Sequence, residues 1–213
     1  MGSGGGSAGG DGPVPWPRIS SERGPNLLVC RARFDRMTNP RTGRELVRTV
    51  LETPDWVNVV ALTPERRLVV VRQYRFGTAS VTTEIPGGMV DPGETSAEAA
   101  RRELREEAGY TAERWTYLGA VEPNPAFHDN LCHHWLAEGA RPTHGQELDE
   151  GEDIAVATLD LAEVRGMIAA GLIRHALVIT ALSKVIALVS SPGEAGSHPP
   201  PTRPPDDSVR RRT

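Results

Sequence analysis

Glu103, Glu106 and Glu107, in the run EAARRELREEAGY, stand at i, i+3 and i+4, so on a helix they share one face. Like charges at that spacing repel, at a cost on the order of a few tenths of a kcal/mol per pair. A hard divalent cation removes the conflict, and an all-oxygen ligand set suits Mg²⁺ or Mn²⁺. The preceding IPGG, residues 85–88, offers backbone carbonyls to complete such a shell. The ordinary alternative for a run of this composition is a solvated acidic face neutralised by Arg101, Arg102 and Arg105.

The element that must position these carboxylates is bounded on both sides. Thr95 and Glu98 in TSAE have capping-box spacing, and Gly109 supplies a helix-ending glycine, so the spacing predicts a helix over 96–108. Upstream, NLLVCRARFDR and RELVRTVLE flank the turn-like MTNPRTG as an antiparallel hairpin would. WVNVVALT and RLVVVRQYRF follow as strands, giving four before the acidic helix, and the second is apolar enough to be central. Downstream come the strand candidates WTYLGAV, NLCHHWLAE and DIAVATLD. The chain then turns helical from Leu161, with Gly171 separating two helices. Many strands and few helices in mixed order indicate an α/β or α+β sandwich with a mixed β-sheet.

Composition removes several classes of function. With 24 basic and 28 acidic side chains the formal charge is −4, which gives no general attraction to nucleic acid or to an anionic membrane. HALVITALSKVIALVS is interrupted by His175 and Lys184 and is too short to span a bilayer. Two cysteines, Cys30 and Cys132, cannot build a disulfide framework, which suits a reducing, cytoplasmic setting. Residues 1–15 and 192–213 are rich in Gly, Ser, Pro and charge, and are expected to be a disordered leader and a disordered Pro-rich tail.

Gly88, Glu94, Arg102, Glu103, Leu104, Glu106, Glu107, Gly109 and Tyr110 fit the spacing G-x5-E-x7-R-E-U-x-E-E-x-G-U, where U is a bulky apolar residue. This resembles the signature of the Nudix hydrolases, with Tyr110 where an aliphatic side chain is usual. The resemblance implies an α/β/α sandwich over residues 56–191, preceded by an N-terminal antiparallel β-sheet region at 16–55. It implies hydrolysis of a nucleoside diphosphate linked to another moiety, dependent on Mg²⁺ or Mn²⁺. Glu103, Glu106 and Glu107 would be metal ligands, with the Gly87 carbonyl an additional one, and Arg102 and Glu94 would hold loop and helix together.

The run VVRQYRFG, then EIPGG, and Pro125 sixteen residues beyond the last glycine of the signature resemble the ADP-ribose and nucleoside-diphosphate-sugar pyrophosphatase branch. That likeness implies a nucleotide-sugar substrate and a homodimer. It makes Pro125 a substrate-site residue and Glu84 a ribose or metal-shell partner, where a surface strand glutamate is the alternative. Arg72 and Arg75 have the guanidinium fork that matches phosphate oxygens, although strand alternation lets only one of them face a given site. The general base in this branch usually comes from an acidic loop, and ELDEGEDI supplies Glu150 and Glu152 as candidates. PNPAFHDNLCHHW departs from the branch pattern, and Phe127 or His128 there offers a ring for stacking on a base. A hydrolase of nucleoside triphosphates or dinucleoside polyphosphates, and a non-catalytic nucleotide-sensing module, are the alternatives within the same superfamily.

Overall fold

The computed structural model describes residues 12–188. The expected leader up to residue 11 and the expected tail at 192–213 lie outside the described residues. The described residues divide into two compact units, residues 12–53 with 124–130 and residues 54–123 with 131–188.

In the first unit β1 (Arg18–Asn26), β2 (Arg31–Thr38) and β3 (Glu45–Glu52) form an antiparallel sheet in that order. The hairpin expected from sequence is β2 and β3, in register from Arg31 opposite Glu52 to Thr38 opposite Glu45. Asn39 closes its turn: its side-chain oxygen accepts from the Arg41 N–H at 2.9 Å, and its own N–H donates to the Arg44 carbonyl at 2.9 Å. β1 was not foreseen. RISSERGPN is polar and almost wholly exposed, so it joins the sheet through backbone pairing and leaves no apolar alternation to read. Asp35, buried between the strands, accepts from Ser21 Oγ at 2.6 Å and from Arg33 Nε at 3.1 Å. Residues 124–130 belong to this unit, with the Leu51 N–H donating to the Phe127 carbonyl at 2.7 Å.

The second unit is built on a mixed six-stranded sheet. Its strands are β4 (Trp56–Leu62), β5 (Leu68–Arg75), β6 (Ser80–Glu84), β8 (Arg114–Val121), β9 (Cys132–Glu138) and β11 (Ile154–Leu159). The order is β11-β5-β4-β9-β8, with β6 also paired to β5. β4 and β9 run parallel and the other pairs antiparallel. β7 (Tyr110–Thr111) and β10 (Arg141–Pro142) make a separate two-stranded ladder. Six strands therefore precede the acidic helix where the sequence suggested four, because β1 and the short, hydroxyl-rich β6 carry no strong apolar signal.

Helix α1 spans Ser96–Ala108, as its caps predict: Thr95 and Glu98 form the reciprocal capping box, and Gly109 at φ 72° ends the helix. Val57, Val59 and Ala61 of β4 and Val69 of β5 pack against Ala99, Ala100, Leu104 and Ala108 of α1. Val60, Leu62, Leu68 and Val70 face the other way, with Val164 of α2 (Leu161–Ala169) and Val178, Ala181 and Leu182 of α3 (Ala176–Ser183). Burial on both faces is why β4, apart from Asn58, and the first half of β5 read as apolar runs, and the result is an α/β/α sandwich. Gly171, at φ 68°, separates α2 from α3. Among the described residues, no helix is long and apolar enough to cross a membrane.

Candidate active site

The rotation of α1 is fixed by its buried alanines and Leu104, and this sets where its carboxylates point. Glu103 and Glu107 flank Leu104 and go inward with it, at 8% and 4% exposure, whereas Glu106 is half-buried. The loop from Ile85 to Val90 runs beside them, held on β4 by Val59 N–H to Pro86 O at 2.8 Å and Val57 N–H to Gly88 O at 2.9 Å. Gly87 is needed for this approach, because a Cβ there would collide with the Val57 carbonyl, whereas one on Gly88 would push the Glu103 carboxylate aside. The Gly87 N–H donates to Glu107 Oε2 at 2.9 Å.

Arg102 ties helix and loop together. Its Nε and Nη2 donate to the two oxygens of Glu94, both at 3.0 Å, and Nη2 also reaches the Met89 carbonyl at 2.8 Å. Its Nη1 donates to Glu103 Oε1 at 2.8 Å and Glu106 Oε2 at 3.2 Å. The paired guanidinium holds Glu94 below the usual carboxylate range.

The inward carboxyls behave differently. Burial pushes Glu103 up to about 7, against the pull of Arg102, with Glu106 and Glu152 adding repulsion. Burial likewise pushes Glu107 up to about 8, opposed by the Gly87 N–H and reinforced by Glu103 and Glu152. Among the described residues no three His, Cys, Asp or Glu side chains already converge as a metal cluster; Glu103 and Glu106 are turned to Arg102 instead. The donor set nevertheless fits a hard divalent cation: all oxygen, with two carboxylates in surroundings that lack positive charge enough to keep them ionised.

Period-two alternation separates the two arginines of β5. Val69 packs on the α1 face and Arg75 follows it at even spacing, while Val70 and Arg72 belong to the opposite face. Arg75 forms a bidentate pair with Glu84, Nε to Oε1 at 2.8 Å and Nη2 to Oε2 at 2.7 Å, and is within electrostatic reach of Glu107 and Glu152. Glu84 is only 2% exposed and also accepts from Thr82 Oγ1 at 2.6 Å, which corrects the surface-strand alternative. Its electrostatic neighbours include His175, which the sequence marks only as an interruption of an apolar run. The charge of Glu152 bears on Glu103, Glu107 and Arg75 together, and Glu152 Oε2 accepts from the Asp149 N–H at 3.0 Å. Glu150 is exposed in the same loop.

Pro125, Phe127 and His128 lie in the first unit. The rings of Phe127 and His128 meet edge to face, centroids 4.9 Å apart. Thus the structure gathers Arg75, Glu84, Gly87, Arg102, Glu103, Glu106, Glu107 and Glu152 in the second unit, and sets Arg72 on the opposite strand face.

The NUDIX domain model matches residues 53–181. The chain belongs to the Nudix family. Its relatives put it with the ADP-ribose pyrophosphatase-like pyrophosphohydrolases of that family. It is 35% identical over 122 residues to an ADP-ribose pyrophosphatase of Bacillus subtilis, an alignment covering 57% of this chain and 66% of the relative, just under two thirds. It is 30% identical over 174 residues to an ADP-ribose pyrophosphatase of Mycobacterium tuberculosis, covering 81% and 84%. A crystal structure of an ADP compounds hydrolase superposes with a TM-score of 0.72 at 23% identity, over 82% of this chain and 94% of that one, which establishes the shared fold.

Proposed function

We propose that the chain hydrolyses the pyrophosphate bond of ADP-ribose or a related nucleoside-diphosphate sugar, releasing a nucleoside monophosphate and a sugar phosphate. The observation that carries this reading is the burial of Glu103 and Glu107 side by side, with Arg75 and Glu152 in electrostatic reach of Glu107. Glu103, Glu106 and Glu107, with the Gly87 carbonyl, would hold Mg²⁺ or Mn²⁺, which supplies positive charge against the pyrophosphate and lowers the pKa of water. Arg75, steadied from behind by Glu84, presents its guanidinium to a phosphate oxygen. Arg102 holds the acidic helix against the glycine loop, so that the carboxylates keep their spacing when a polyanion arrives. Glu152 accepts the proton of the attacking water.

The test is a panel of ADP-ribose, other nucleotide sugars, dinucleoside polyphosphates and nucleoside triphosphates, with Mg²⁺ or Mn²⁺ and with EDTA. The expected products are AMP and ribose 5-phosphate from ADP-ribose, formed only with the metal. Pyrophosphate release from triphosphates alone would reject the substrate class, and no turnover of any compound would favour a sensing module.

The same reading includes a homodimer in a reducing, cytoplasmic setting. It is supported by the exposed Ile19, Leu27, Leu28, Val29 and Val47 of the first unit and by the free thiols of Cys30 and Cys132. Light scattering at micromolar concentration is expected to give twice the chain mass of 23.0 kDa; the chain mass itself would overturn the dimer.

A further inference from the structure

The loop that carries Glu152 is built onto the backbone of the acidic helix, and one side chain fastens both of its ends. The last carbonyls of an α-helix have no partner within it. Here Gly109 N–H serves those of Leu104 and Arg105. The next two, on Glu106 and Glu107, are served by the loop: the Glu147 N–H donates to Glu106 O at 2.9 Å, and Gln146 Nε2 donates to Glu107 O at 2.7 Å. The same Gln146 nitrogen donates to Ile154 O, at the start of β11, at 3.0 Å. Its two hydrogens thus join the helix to the far end of the loop. Arg105 Nη1 adds an ion pair to Glu147 at 3.0 Å.

Between these fastenings lie residues 147–153, among them Glu152, its carboxylate turned back on the Asp149 N–H. The carbonyls that Gln146 and Glu147 grip belong to Glu107 and Glu106, whose side chains face the site. The loop therefore shares a backbone reference with the carboxylates it must serve. Two carbonyl acceptors around one nitrogen also settle the orientation of the amide.

We propose that Gln146 is a positioning residue that sets Glu152 relative to the Glu103 and Glu107 carboxylates, an inference that rests on Glu152 as the proton acceptor. A misplacement on the ångström scale at a reacting centre costs up to about 10²-fold in rate, and loss of a supporting hydrogen bond about 10–100-fold. Gln146→Glu keeps the shape and replaces the donor with an acceptor facing two carbonyls. It is expected to lower kcat on ADP-ribose about 10–100-fold, with KM changed less than about 3-fold. Gln146→Met removes the donor without adding charge and is expected to do the same in weaker form, so a folding failure of the first variant leaves the second.

Two readouts separate positioning from general support. In a Glu152→Gln background the Gln146 substitutions should cost less than about 3-fold, because a misplaced group that is already absent cannot be misplaced again. In metal-free protein, hydrogen exchange at the Glu147 amide should speed up while exchange in the middle of α1 is unchanged. An equal loss in both backgrounds, or wild-type kcat in a folded Gln146→Met protein, overturns the proposal. Wild-type turnover in Glu152→Gln alone would instead defeat the assignment of Glu152, and with it the positioning role; faster Glu147 exchange would then still show Gln146 to be the fastening of the loop.

Discussion

Glu107→Gln is expected to lower turnover of the proposed substrate, ADP-ribose, by about 10²–10³-fold, the scale on which removal of one electrostatic partner of a reacting phosphate or oxyanion acts. Glutamine has the volume of glutamate and keeps a carbonyl oxygen for the Gly87 N–H, which now reaches Glu107 Oε2 at 2.9 Å. It removes the charge that a cation would neutralise. Since the buried carboxyl is raised to about 8 without metal, a neutral amide takes the place of a group that is largely protonated at neutral pH. Thermal unfolding without metal should occur at the wild-type temperature or above it. Unchanged kcat in saturating Mg²⁺ would remove Glu107 from the metal-holding set, and a large drop in unfolding temperature would make its role structural.

The second large effect is on stability against pH in EDTA-treated protein. Glu103 and Glu107 move from 4.5 to about 7 and about 8 on folding, so above pH 4.5 the folded chain holds protons that the unfolded chain has released. Stability from these groups is complete below the unfolded value and is lost as pH rises through the folded ones. His134 and His175 act in the opposite sense: burial lowers both, so they favour the folded chain progressively up to about pH 6.5. The window that isolates the glutamates is therefore pH 6.5–8. Across it the metal-free protein should lose on the order of 2 kcal/mol, roughly 5 °C in Tm. Mn²⁺ should restore most of this at pH 8 and less at pH 6.5, where protons compete with it for the same oxygens. A Tm that does not fall between pH 6.5 and 8 without metal would contradict the burial of these carboxyls.

What could be read in advance follows the range of the rule involved. The span of α1 depends on Thr95, Glu98 and Gly109, all within a turn of its ends, and the structure ends the helix where those residues say. β4 and the first half of β5 were legible because burial on both faces leaves clusters of valines. β1 was not, because its side chains face solvent and its bonds are made by backbone that every sequence possesses. Between Arg72 and Arg75 alternation left a choice that only the placement of Val69 and Val70 resolves. Glu150 and Glu152 are equivalent in composition, and only the fold shows that the charge of Glu152 bears on Glu103, Glu107 and Arg75. Gln146 left no trace in the sequence, because its two acceptors stand 39 and 8 residues away and any residue can present a carbonyl.

The membership of residues 124–130 in the unit begun by residues 12–53 has a consequence for biosynthesis. At about 5–20 residues per second, β1, β2 and β3 leave the ribosome roughly 4–15 s before Phe127 arrives to take the Leu51 N–H. The first sheet to be translated is thus completed late, and a protein shortened to begin at residue 54 would keep residues 124–130 without the strand whose amide they receive.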